Sequence, residues 1–352
     1  MNAAPRVPLS NAQDYPLWIN ALIFMAAAAV VWVAGTRLTR YLDAIAGQTG
    51  LGRVFVGMLL LGGITSLPEV ANTVTSSLTG NPQLGINNLL GSAAINVLLL
   101  AVADAFIGRD ALTSAVAKPS TIMMGTLCTL LLVAVAASTV IGDVVVFGAG
   151  VGIGAVVLCA MSIAFFWMSA GYDRRAPWVI KGQEPQPEED AAPSAAPLRS
   201  LVVKTAVAGA VIFAAGYTLS QTGDALAEQT GLGSGMVGFA LIGVSTSMPE
   251  LSSIVTALRI RRYEMAFGQV LGTNFINLSL ILVADAFYTG APVINELGQF
   301  EIVSALLGAM LTGVFMVGLL EHKNPTVLRM GYDSLVVMLL FGGGLALLSV
   351  LG

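Results

Sequence analysis

The chain has 352 residues, of which 56% are hydrophobic and only 10% charged, against about 25% charged in soluble domains. This excludes a soluble globular protein and implies a polytopic membrane protein. The formal net charge of −4 is scattered over loops without a basic patch, which excludes nucleic acid as a partner.

In chain order, residues 1–16 are mixed and polar and lack the charged start, apolar core and small-residue cleavage site of a signal peptide. Since a helix needs about 20 apolar residues to cross the hydrocarbon, spans are expected near 17–36, 53–79, 83–107, 119–139, 143–170, 201–220, 235–260, 264–288, 300–320 and 332–351. Residues 171–200 interrupt them with Glu184-Pro185-Gln186-Pro187-Glu188-Glu189-Asp190 and Ala-Pro repeats, the composition of a flexible connector. The expected fold is therefore all-α, with ten transmembrane helices in two five-helix repeats, 17–170 and 201–352. Cys128 and Cys159 fall in apolar spans at no metal or redox spacing and are expected to pack.

The two halves are related by an offset of 181 residues. Between 43–106 and 224–287, 28 of 64 positions are identical without a gap, an internal repeat. With five spans per repeat, the second enters the membrane from the opposite side, so the repeats are inverted. Placing the N-terminus outside puts 15 of the 16 lysines and arginines on the cytoplasmic side, leaving only Arg6 outside. Both termini are then outside, periplasmic in a bacterium, and the 171–200 linker is cytoplasmic. Inverted repeats with interrupted spans are the architecture of many secondary transporters, with the substrate at the midplane.

The interruptions are legible. Thr65-Ser66-Leu67-Pro68-Glu69 lies within the second span and Thr246-Ser247-Met248-Pro249-Glu250 within the seventh. Each proline should break its helix near mid-depth, and each acid is costly there, which marks a functional site. Unwound carbonyls, the hydroxyls of Thr65, Ser66, Thr246 and Ser247 and the carboxylates of Glu69 and Glu250 are the oxygen ligands a hard cation takes. The structural alternative is that Ser66-x-x-Glu69 and Ser247-x-x-Glu250 are capping boxes. In the third and eighth spans, Gly91 and Gly272 permit close helix approach. Ser92 with Asn96, and Thr273 with Asn277, lie one turn apart on one face and point a hydroxyl and an amide at each glutamate. The alternative for each asparagine is an interhelical hydrogen bond. Asp104 and Asp285 also repeat, near span ends, and read as mouth residues rather than ligands. Asp143 and Glu301 begin spans on the outer side, and His322 sits in a charged loop.

The paired Thr-Ser-x-Pro-Glu and Gly-Ser/Thr-x-x-x-Asn elements resemble the two alpha repeats of the calcium/cation antiporter superfamily, which includes sodium/calcium and calcium/proton exchangers. The resemblance implies a multi-pass protein of the cell membrane, the inner membrane of a bacterium. It implies no enzymatic activity and no cofactor, and the transported Ca²⁺, H⁺ or Na⁺ as partners together with the lipid. It further implies that Glu69 and Glu250 bind Ca²⁺ while the first and sixth spans slide over a core of the others. Sodium/calcium members carry an aspartate where this chain has Asn277, whereas proton-coupled members resemble it in having asparagine at both positions. Asn88 fits the family's Gly-Asn pattern, and Gln269 replaces its counterpart. Two carboxylates balance one Ca²⁺ or two protons, whereas three Na⁺ would leave about one uncompensated charge in the membrane. Exchange of Ca²⁺ against H⁺ is therefore expected, with Na⁺/Ca²⁺ exchange as the alternative. A passive cation channel and a non-transporting sensor are further alternatives, and a hydrolase is disfavoured because no histidine lies in a span.

Overall fold

A computed structural model describes residues 12–107, 112–115, 119–145, 150–170, 172, 196–230, 239, 243–321, 326–327 and 330–351. Most of residues 1–16 and of the linker, together with His322, lie outside them. The helices are α1 (Leu17–Thr49), α2 (Arg53–Val56), α3 (Gly62–Thr65), α4 (Leu67–Leu78), α5 (Pro82–Ile107), α6 (Leu112–Ala115), α7 (Pro119–Ile141) and α8 (Ile153–Ala170) in the first half. The second half has α9 (Leu198–Thr230), α10 (Gly243–Thr246), α11 (Met248–Arg259), α12 (Tyr263–Phe287), α13 (Gln299–Glu321) and α14 (Tyr332–Leu351), with a small hairpin of Thr326–Val327 and Met330–Gly331. Among the described residues, eight helices are long and apolar enough to cross a membrane, and Arg53–Thr65 with Leu67–Leu78 forms a ninth span bent by 42°. The seventh span is described from Gly243 onward, as α10 and α11. The fold is the expected all-α membrane bundle, compatible with ten spans in inverted repeats.

Three boundaries differ from expectation. Helices α1 and α9 each run 33 residues, about 50 Å at 1.5 Å per residue, well beyond the ~30 Å hydrocarbon. The overhang of α1 is amphipathic: Leu38, Leu42, Ile45 and Ala46 are buried, and its Asp43 accepts hydrogen bonds from Arg53 Nε at 3.2 Å and Arg262 Nε at 2.9 Å. The fifth span starts at Ile153 rather than 143. Gly142 and Gly150 take left-handed φ of 79° and 68°, which halts the chain, and Asp143 instead caps α8 from ten residues away by accepting from the amides of Gly154 and Ala155. Glu301 accepts from Gly298 N at 2.7 Å and so caps α13.

The buried centre consists of α5 and α12, which pack on one another and on the broken spans. A Cβ on Gly91 of α5 would lie 2.7 Å from Phe239 Cα, and one on Gly272 of α12 would lie 2.6 Å from Met58 Cα. Met58 and Phe239 are themselves 181 apart, so the two close approaches are one contact repeated by inversion. The long α1 and α9 pair along each other at the side of this core, α1 on α11 and α9 on α4. Gly35 of α1 faces Ser252 and the Pro249 carbonyl, and its counterpart Gly216 of α9 faces the Pro68 ring.

Asp104 and Asp285, read from the sequence as mouth residues, act in the structure as loop clamps. Asp104 accepts from Leu112 N, Gly331 N and Ser334 Oγ, each at 2.7 Å. Asp285 accepts from Val293 N and Gly152 N at 2.6 Å. Each ties the loop after its own helix to the start of another span. Hydrogen bonds to a charged group are worth about 1.5–3 kcal/mol, and the stranded amides add to the loss. Asp285→Ala is therefore expected to lower stability by about 2–4 kcal/mol, and thermal unfolding in detergent measures this; an unchanged midpoint would refute the clamp.

Candidate cation site

The second span continues from α2 through a π-turn, Gly57–Leu61, into α3 and breaks at Ser66, with φ −79° and ψ 1°. Ser247 has φ −81° and ψ 5°, the same break inverted. Pro68 and Pro249 each occupy the first turn of the restarting helix, where a missing N–H costs nothing. The prolines thus set where each helix resumes. Neither capping box forms: no side-chain cap bond is made at Ser66 or Ser247. Ser66 Oγ donates back to Gly62 O at 2.9 Å instead, so its hydroxyl is directed into its own helix rather than at the glutamates.

All ten residues singled out in the sequence (Thr65, Ser66, Glu69, Ser92, Asn96, Thr246, Ser247, Glu250, Thr273 and Asn277) are at most 1% exposed. Most meet at one place, linked across the repeats. Ser92 Oγ donates to Glu69 Oε1 at 3.1 Å, lies 3.1 Å from Ser247 Oγ and accepts from Asn277 Nδ2 at 3.2 Å. Thr246 donates to Asn88 Oδ1 at 3.0 Å, while its counterpart Thr65 accepts from Gln269 Nε2 at 3.4 Å. Thr246 also lies beside Glu69, and Thr65 beside Glu250 without completing a hydrogen bond. Each threonine therefore stands beside the glutamate of the other repeat, although Thr65 Oγ1 donates to Leu61 O at 3.0 Å and Gly62 O at 3.2 Å in its own helix.

The oxygens left over define what the arrangement can do. Glu69 Oε2, both oxygens of Glu250, Asn96 Oδ1, Asn277 Oδ1, Thr273 Oγ1 and Gln269 Oε1 are buried and have no hydrogen-bond partner among the described residues. Buried acceptors without donors are expensive, and two carboxylates near one another repel. A hard cation resolves both, because Ca²⁺ takes six to eight oxygens of mixed carboxylate, amide and hydroxyl type. Among the described residues no group of three His, Cys, Asp or Glu side chains gathers to hold a metal, so the donor set is oxygen-rich and bears only two negative charges.

Some participants were not singled out from the sequence. Asn274 accepts from Asn96 Nδ2 at 3.3 Å and donates to Ala93 O at 3.3 Å; its repeat counterpart is Ala93, so comparing the halves hid it. Gln269 donates to Ser253 Oγ, and the counterpart of that serine, Asn72, donates to Ser220 Oγ of α9 at 2.7 Å. That 72 and 253 are both polar is a signal the offset contains.

The family model described as sodium/calcium exchanger protein matches residues 19–170 and 200–350, both halves of the chain. The chain belongs to the sodium/calcium exchanger family. Among relatives of this family member, the inner membrane protein YrbG of Escherichia coli K12 is 26% identical over 78% of the chain and 81% of its own length. The sodium/calcium exchanger MaX1 of Methanosarcina acetivorans is 27% identical over 38% of each. The sodium-calcium exchanger NCX_Mj, solved after soaking with Na⁺ and Sr²⁺, superposes with a TM-score of 0.65 at 16% identity, covering 94% of this chain and 99% of that one. At that identity the superposition establishes a shared fold. The family is one of multi-pass membrane transporters that exchange cations, and this member is accordingly a cation antiporter of the calcium/cation superfamily.

Proposed function

We propose that the protein is a secondary active antiporter that carries Ca²⁺ across the membrane against protons by alternating access, with Glu69 and Glu250 as the charged ligands. The observation that carries this reading is the set of buried oxygens around two carboxylates that have, among the described residues, neither a hydrogen-bond partner nor a third acid beside them. Ca²⁺ is matched by the two negative charges and the amide and hydroxyl oxygens of Asn96, Asn277 and Thr273; two protons match the same carboxylates when Ca²⁺ has left. Loaded and empty forms then bury the same net charge, so neither carries an extra desolvation cost through the membrane. Ser92 orients Glu69 from within its own repeat, while Thr246 and Thr65 stand beside Glu69 and Glu250 from the opposite one. A second reading, exchange against Na⁺, is favoured by the names of MaX1 and NCX_Mj. The proposed orientation has both termini outside and the 171–200 linker in the cytoplasm; a cysteine introduced in that linker would then be labelled only from inside.

The test is Ca²⁺ uptake into proteoliposomes under an outward H⁺ gradient, an outward Na⁺ gradient, or neither. Uptake driven by H⁺ alone supports the first reading, uptake driven by Na⁺ replaces it with the second, and uptake indifferent to both makes the protein a channel. Asn277→Asp adds a third acid to the site and is expected to strengthen Na⁺ dependence. An unchanged ion dependence would show that residue 277 does not choose the counter-ion.

A further inference from the structure

Away from the cation site, a groove of about 510 Å³ runs between α1 and α9. It exists because both helices present small or β-branched residues there, Val30 and Val33 on one side and Val203 and Val207 on the other, each about half exposed. Arg37 and Lys204 stand at one end of it, with the Lys204 ammonium 5.9 Å from the centre of the Tyr41 ring. No charged residue separates Arg37 from the start of α1, and none lies between Lys204 and Asp224 on α9. The two cations are therefore the last charges before the hydrocarbon, and Tyr41 is an aromatic at the same interface. From Arg37 back to Ala29 the groove covers roughly 12 Å of helix, most of one leaflet.

We propose that this groove binds an anionic phospholipid, with an acyl chain lying between α1 and α9 and the phosphate held by Arg37 and Lys204. The repeat supplies an internal comparison. The counterparts of Arg37, Tyr41 and Lys204 at the opposite end of the same helix pair are Thr218, Thr222 and Ile23. The inversion that relates the rest of this pair is broken by charge, and on one side only. That side carries the lysines and arginines of the proposed cytoplasmic face, where anionic lipid attracts juxtamembrane cations. A second copy of the chain seated here about a two-fold axis would set the same cations against each other, which disfavours a dimer interface.

The experiment is titration of the purified full chain in detergent with dioleoylphosphatidylglycerol or dioleoylphosphatidylcholine, counting bound lipid by native mass spectrometry. One phosphatidylglycerol is expected to be retained about tenfold more strongly than phosphatidylcholine. Arg37→Gln with Lys204→Gln should remove that preference, while Arg259→Gln, an exposed cation elsewhere, should keep it. Val207→Trp, which fills the groove without touching charge, should displace both lipids. Equal retention of the two lipids by the wild type, an undiminished preference in the double variant, or lipid lost only on formation of a dimer would each overturn the proposal. Both lipids are neutral to orientation in a micelle, so the outcome does not depend on which face is cytoplasmic.

Discussion

Glu69→Gln and Glu250→Gln are each expected to abolish Ca²⁺-dependent exchange while leaving the protein folded. Glutamine keeps the shape and one acceptor oxygen but removes half of the negative charge facing the ion. Truncating one partner of a buried charge pair costs about 2–5 kcal/mol, or from about 30-fold to several thousandfold in affinity. Without Ca²⁺ the sign reverses, because a buried carboxylate must either stay charged without a partner or take up a proton that the unfolded chain does not hold, a cost a neutral isostere lacks. This relief should be larger at Glu250, whose two oxygens have no partner among the described residues, than at Glu69, whose Oε1 is held by Ser92. Thermal unfolding should therefore show variants as stable as the wild type or more so in chelator, with Glu250→Gln the higher. The upward shift that Ca²⁺ gives the wild type through preferential binding to the folded state should be missing from both. Uptake by either variant above about a tenth of the wild-type rate would remove the two glutamates from the site.

Gly91→Ala and Gly272→Ala are expected to lose both stability and exchange, against the local preference of a helix. Alanine is favoured over glycine in a helix by about 1 kcal/mol, and at a glycine with open space around it that gain should appear. Gly313 and Gly342 are such positions, with no atom within 4 Å of an added Cβ, and they serve as controls. At Gly91 and Gly272 the added carbon meets the backbone of Phe239 and Met58, and backbone inside a packed bundle does not step aside as a side chain does. Overpacking costs typically 1–3 kcal/mol, enough to outweigh the propensity. The functional loss follows from position: Ser92, which bonds Glu69 and faces Ser247, and Thr273 are the next residues, so pushing the helices apart displaces both hydroxyls. If Gly91→Ala unfolds at the same temperature as Gly313→Ala and transports normally, the close approach does not matter to the site.

The inverted repeat explains why the site is written twice yet used once. Related positions do not partner each other; they exchange partners, so that Thr65 lies beside Glu250 and Thr246 beside Glu69. The same exchange appears in the packing, where Gly91 meets the seventh span and Gly272 the second. Because the second repeat enters the membrane reversed, these crossings bring the two broken spans together with α5 and α12.

Much of this was legible in the amino-acid sequence. Lipid forces a span to be long and apolar, so hydropathy located the spans the described residues contain, though not the ends of α1, α8 and α9, and an ungapped repeat of 28 identities in 64 made the inversion a matter of counting. A carboxylate after a proline in mid-span is too costly to be incidental, which singled out Glu69 and Glu250. The tertiary structure decided the rest, because it depends on groups far apart in the chain. Ser66 could cap its helix or bond back to Gly62, and local sequence favours neither; packing selected the second. Asn274 has an apolar counterpart and was invisible to repeat comparison, yet it pairs with Asn96 across 178 residues. The π-turn at Gly57–Leu61, the overhang of α1 anchored by Arg53 and Arg262 on Asp43, and the clamps at Asp104 and Asp285 all answer to backbone groups and charges brought near only by folding. Hydrophobic length and periodicity are properties of a segment, whereas a hydrogen bond between two repeats is a property of how they meet.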